Sequence, residues 1–254
     1  MKRIFALISI AAVACACNKT NPVVEANINE GYGFIDMNVS SDDAVAVKAV
    51  QNVTDFSTWT IKIGDTAYTG TDQKFAAGNY TASASNYVDE AAALSAEGGW
   101  GDAFYKGTKA VTVVAGQTVT AAIECGKAQN ARLAVAFNTD SFGTVITDCS
   151  VTVAKSGVTD SLTFNAANVE TAKAYFAAAA STNYSIKYKY NGADKKITGK
   201  SVTLGAAATE KTIRVAANQN GTITVTISYD DEFTGTGEEE SIVIDAATGA
   251  EATE

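Results

Sequence analysis

Trp59-Thr60-Ile61-Lys62-Ile63-Gly64 decides the fold class. Side chains along a strand point alternately to opposite faces, so Trp59, Ile61 and Ile63 share one face and Thr60 and Lys62 the other. That is the pattern of a half-buried β-strand, and Gly64 after it marks a turn. Outward from this stretch, similar short runs recur between Gly, Asn and Asp residues. In the N-terminal direction lie Gly33–Val39 and Ala44–Ala49. Thr58–Ile63 itself is followed by Asn79–Ser85, Lys109–Val114 and Thr118–Cys125. After a break at Gly126–Asn130 come Arg132–Phe137, Ser150–Ala154, Ser161–Phe164, Tyr184–Tyr190, Ile197–Leu204, Lys211–Ala216, Thr222–Tyr229 and Glu240–Ile244. Turns at roughly eight- to twelve-residue spacing, with no long amphipathic helices between strands, favour sandwiches over a parallel sheet.

The expected architecture is therefore all-β: two tandem β-sandwich domains, Ig-like or transthyretin-like, with one or two short helices. The helical candidates are Val169–Ala180, alanine-rich with Asn168 placed as its cap, and Asp89–Glu97 ahead of Gly98-Gly99. The expected boundaries are a signal segment at 1–16, a tether at 17–30, sandwiches at 31–126 and 127–246, and an acidic tail at 247–254. The two halves share a faint outline. Trp59-Thr60-Ile61-Lys62-Ile63-Gly64 and Cys149-Ser150-Val151-Thr152-Val153-Ala154-Lys155-Ser156-Gly157 each read as an alternating strand and a turn, so a duplicated sandwich is one reading.

The N-terminus speaks of destination. Lys2 and Arg3 precede an apolar run, Ile4–Val13, that is too short to span a bilayer, and small residues then lead to cysteine. Ala14-Cys15-Ala16-Cys17 resembles the lipobox of bacterial lipoproteins. That resemblance implies cleavage before a diacylated cysteine, Cys17 by preference and Cys15 as the alternative. The membrane is then a partner through lipid alone, since several acyl chains suffice to hold a protein on a bilayer. Loss of Lys2 and Arg3 takes the net charge from −9 to −11, which argues against nucleic acid as a partner. The chain has no histidine, so Ser-His-Asp and Cys-His arrangements and histidine-based zinc sites are excluded. Beyond the N-terminal pair only Cys125 and Cys149 remain; they could form a disulfide in an oxidising compartment or stay as buried thiols.

In the N-terminal half, Ala77-Gly78-Asn79-Tyr80 opens a strand and Trp100-Gly101-Asp102-Ala103-Phe104-Tyr105-Lys106-Gly107 closes a loop. Val114-Ala115-Gly116-Gln117 reads as the turn of a hairpin with arms Lys109–Val114 and Thr118–Ile123, and Glu124-Cys125 with Ala128-Gln129-Asn130-Ala131 leads onward. This order resembles an uncharacterised Bacteroidetes family of lipid-anchored, two-domain β proteins, classed as a domain of unknown function and distantly similar to fimbrillin-like adhesins. The resemblance implies an outer-membrane lipoprotein on the periplasmic or external face, and it carries over no catalytic residue.

Trp100, Phe104 and Tyr105 could form an aromatic platform for a sugar or peptide; the favoured reading is that they cover the open end of the first sandwich. The acid-rich stretch after Tyr229 reads as a solvated hairpin rather than a calcium site, and neither a metal nor a cofactor is expected. Asp65-Thr66-Ala67 and Asp160-Ser161-Leu162 resemble periplasmic O-glycosylation sites of Bacteroidetes, making Thr66 and Ser161 candidates, with Thr66 the better placed in a turn. The expected function is a non-enzymatic, lipid-anchored envelope protein in structure, adhesion or ligand binding. The alternatives are a fimbrial subunit or tip component and a carbohydrate-binding outer-membrane lipoprotein. A fimbrillin-type arginine cleavage near the first strand has no substrate here, because no arginine lies between Arg3 and Arg132.

Overall fold

The alternation at Trp59–Ile63 is realised as a strand whose Ile61 and Ile63 are 5% and 1% exposed while Lys62 faces solvent. Slipping this strand by one residue would expose both isoleucines, at a cost of about 3–6 kcal/mol, so the register is firmly set. The computed structural model describes residues 31–42, 50–52, 58–138, 145–156, 161–218, 221–231 and 240–251. Cys15, Cys17, the signal and tether segments, the expected strand Ala44–Ala49 and the acidic connection 232–239 lie outside them.

The first half contains β1 (Tyr32–Asp42), β2 (Val50–Asn52), β3 (Thr60–Ile63), β4 (Thr66–Ala67), β5 (Lys74–Ala76), β6 (Gly78–Ser85), helix α1 (Glu90–Ser95), β7 (Lys106–Val113) and β8 (Thr118–Cys125). One sheet has the order β4-β3-β6-β7. In the other, β1 is flanked by β2 and β5 on one side and by β8, in parallel, on the other. The second half contains β9 (Ala131–Asn138), β10 (Ile146–Val153), β11 (Leu162–Asn165), β12 (Ala174–Phe176), β13 (Ser181–Tyr190), β14 (Ala193–Thr203), β15 (Thr209–Ala217), β16 (Thr222–Asp231) and β17 (Glu240–Asp245). Its sheets have the orders β11-β10-β13-β14 and β12-β9-β15-β16-β17, with β9 and β15 parallel.

These are the same topology twice. β3, β4, β6 and β7 answer to β10, β11, β13 and β14; β1, β5 and β8 answer to β9, β12 and β15. The two stretches whose outlines matched in sequence, around Trp59 and around Cys149, are the equivalent strands β3 and β10. The second half adds the β16–β17 hairpin. Each half closes its own core. Ile35, Val39, Ile63, Ala82, Val113, Ala121 and Ile123 fill the first; Leu133, Val151, Phe164, Ile186, Ile197, Ile213, Ile223 and Ile244 fill the second.

Two expectations need correction. Val169–Ala180 is not a helix. A single turn forms, with Val169 N donating to Asn165 O and Ala172 N to Asn168 O. The Asn168 side chain then ties the preceding strand, accepting from Asn165 N and donating to Thr163 O, instead of capping a helix. Beyond it, Ala174, Tyr175 and Phe176 pair with β9 and are all buried. Tertiary packing overrides alanine's helix propensity. The second correction concerns Val114–Gln117. Gln117 N donates to Val114 O and Gly116 has φ +73°, so a turn is present, but β7 pairs with β6 and β8 with β1. The turn passes the chain between facing sheets and joins no hairpin. α1 does form where Asp89–Glu97 was expected, with Asp89 accepting from Ala92 N at 2.8 Å.

Candidate functional site

The halves differ most in one connection. β13 and β14 are joined by a tight turn at Asn191-Gly192, whereas residues 86–105 stand between the equivalent β6 and β7. Within this insertion α1 is followed by a 3-10 turn at Glu97–Gly99, with Gly98 at φ +66°. The carbonyls at this end gather around one cation. Lys155, just past β10 in the other half, donates from Nζ to Leu94 O at 2.7 Å, Gly99 O at 2.6 Å and Trp100 O at 3.1 Å. A cation at the carbonyl end of a helical segment is electrostatically favoured. Burial pulls the Lys155 pKa down to about 8, and the Phe176 ring lies 5.4 Å from its Nζ.

Trp100–Gly107 forms the rest of this clasp. Gly101 has φ +79°, and a Cβ there would meet Lys155 Nζ at 3.0 Å, Leu94 O at 3.1 Å and Tyr175 Cβ at 3.1 Å. Asp102 accepts from Tyr87 OH at 2.9 Å; burial and then this bond push the Tyr87 phenol up to about 12. Fully buried Asn130 donates to Asp102 O at 2.8 Å and accepts from Phe104 N at 3.1 Å. Tyr175 N donates to Trp100 O at 2.8 Å. Gly107 ends the motif because a Cβ there would stand 2.4 Å from Glu124 O. Tyr175 and Ala208, from the second half, pack into the first half's core. The two sandwiches thus share both polar and apolar contacts.

The three aromatic candidates do not form one exposed platform. Phe104 and Tyr105 are each 7% exposed, and Tyr105 belongs to the first core. Trp100 is half-buried and packs edge-on against Phe164 of the second core, with centroids 4.9 Å apart at 86°. Beside it runs an open groove of about 830 Å³, lined by Glu97, Trp100 and Gly101 from the first half and by Arg132, Asn168, Glu170–Lys173 and Tyr175 from the second. On its floor, Arg132 pairs with Glu210 at 2.5 Å, the two being register partners on β9 and β15; Lys173 stands 3.8 Å from the same carboxylate.

The other candidates lie elsewhere. Cys125 is buried in the first core and Cys149 packs against the second, and both thiols are free. Burial pushes them up to about 11 and about 12 respectively. Thr66 is exposed on the β3–β4 hairpin, and Ser161 is exposed just before β11. Residues 247–251 fold back on the second half. Asp245 accepts from Ala247 N and Thr248 N, Glu251 pairs with Lys200, and Glu251 forms a bridge with Ile244. Among the described residues no helix is long and apolar enough to cross a membrane, and no three acidic or cysteine side chains cluster as a metal site. Lys155 and Lys173 carried no signal in the sequence, being lysines in unremarkable turns. Asn130 was visible only as part of the Ala128–Ala131 run.

The match that places the chain runs over residues 30–246, nearly the whole described fold. The chain belongs to the DUF4493 family, a domain of unknown function. The family match spans both sandwiches, the clasp and the groove, so the DUF4493 unit contains the duplicated topology entire. No curated protein matches the chain. Among solved structures, a candidate cell adhesion protein from Bacteroides ovatus is 11% identical with a TM-score of 0.40, covering 80% of this chain and 98% of that one. One from Bacteroides uniformis is 10% identical with a TM-score of 0.44, covering 77% and 98%. A candidate adhesin from Bacteroides ovatus is 7% identical with a TM-score of 0.34, covering 80% and 96%.

Proposed function

We infer that this DUF4493 chain is a lipid-anchored cell-envelope protein with a non-enzymatic, ligand-binding or adhesive role. The observation that carries the reading is the clasp. Lys155 in its three carbonyls and Asn130 between two backbone groups hold the sandwiches so that the groove beside Trp100 has one wall from each. Anchoring is supported by the cysteine pattern at Cys17. The fourteen residues from there to Glu30 can span about 50 Å at most, enough to lift the fold off a bilayer. A binding role is supported by where the perturbed groups are spent. The Lys155 ammonium is committed to carbonyls, Tyr87 to Asp102, and burial keeps both thiols protonated.

Inhibition of lipoprotein signal peptidase should leave a heavier precursor, and Cys17→Ser should move the protein from the membrane to the soluble fraction. Unchanged migration together with unchanged fractionation would refute the anchor.

A further inference from the structure

We propose that the junction groove binds a neutral oligosaccharide, which rests on the ligand-binding reading above and names its ligand class. At about 830 Å³ the groove is within the range of small-ligand sites, roughly 300–1,000 Å³. Its aromatic component is Trp100, packed edge-on against Phe164 and half-exposed. Among the described residues nothing accepts from its indole N–H, which leaves that donor available to a ligand.

Around it stand groups that the fold has not used. Among the described residues, Glu97 and Glu170 are exposed carboxylates that accept from no donor, and Lys173 is held by the 3.8 Å pair with Glu210. The unspent set therefore contains donors, from Trp100 and Lys173, and acceptors, from Glu97 and Glu170. A sugar hydroxyl is both donor and acceptor, and satisfies both kinds at once. The charge balance selects against an acidic sugar. With Glu210 counted beside Arg132 and Lys173, three carboxylates (Glu97, Glu170 and Glu210) stand against two cations, so an anion entering the groove meets net negative charge. Because Lys155 fixes the walls relative to each other, the ligand does not have to order them.

The test uses the full chain in a zwitterionic detergent. Its binding to mannan, xylan, laminarin, polygalacturonate and a random peptide library is measured by affinity electrophoresis and titration calorimetry. At least one neutral glycan should bind, and at least tenfold better than polygalacturonate. Trp100→Phe keeps the packing on Phe164 but removes the N–H; it should lower the affinity about fivefold, the effect of one hydrogen bond. The double variant Glu97→Gln, Glu170→Gln changes two exposed carboxylates isosterically; it should weaken binding with the melting temperature unchanged. Preference for polygalacturonate, or neutral-glycan binding that survives both variants, overturns the proposal. Trp100-dependent binding to peptides alone overturns the glycan class and leaves the ligand-binding reading standing. No binding to any probe overturns both.

Discussion

Replacing Lys155 by Met removes one cation and leaves the Leu94, Gly99 and Trp100 carbonyls without their shared donor. An orphaned buried acceptor costs about 1–3 kcal/mol, and this half-open site warrants the low end, so three together come to about 3 kcal/mol. For a chain of this size that is a fall in melting temperature of about 6–12 °C. Because the lost contacts lie between the sandwiches, the single unfolding transition should also separate into two, followed by calorimetry and by tryptophan fluorescence, with Trp59 and Trp100 reporting on opposite halves. Lys155→Ala should recover part of the loss in methylammonium, whose cation can enter the vacated cage. The wild type adds a pH signature. The folded-state pKa of about 8 lies below the free value of 10.5, so between these the unfolded chain still holds a proton that the folded chain has released. Lys155 therefore contributes stability that rises with pH across that window, while the two thiols contribute a fall once the unfolded chain begins to lose their protons near pH 9, so the signature is read as the difference between the wild type and Lys155→Met. A variant within 1 kcal/mol of wild type, with one sharp transition, would refute the clasp.

The two thiols supply a second check. With Cys125 and Cys149 pushed up to about 11 and about 12, native labelling by iodoacetamide at pH 8 should be at least about a hundredfold slower than in urea. The intact mass should show two thiols, and a mass lower by two hydrogens would contradict the folded arrangement. Gly101→Ala should cost about 1–3 kcal/mol in urea unfolding, since it combines positive φ with three close neighbours. Gly126→Ala, with open space around it, should be neutral; equal effects would remove the steric argument for Gly101.

What could be read in advance follows from the range of the forces involved. Strand alternation is local and set by burial on one face, so β3, β6 and β8 were visible to within a residue or two. Pairing partners are not local. Nothing in Val114–Gln117 distinguishes a hairpin from a crossing between sheets, because the decision rests with β1, eighty residues away in the chain, which takes β8 as its parallel neighbour. The Val169–Ala180 run misleads for a similar reason: its propensity is helical, but Tyr175 N is claimed by Trp100 O and Ala174–Phe176 by β9. The aromatic loop was legible as a motif, but its use was not. Its meaning depends on Lys155 and Asn130, ordinary polar residues made important only by their positions across the junction.

The parallel pairing of β1 with β8 also fixes how the molecule carries load. A pull entering at Tyr32 and leaving toward the second half past Cys125 runs along both strands in opposite senses. The eight register pairs from Phe34–Thr118 to Ser41–Cys125 are then strained together in shear rather than opened one by one. A first sandwich built this way resists tension along that line with the whole ladder at once.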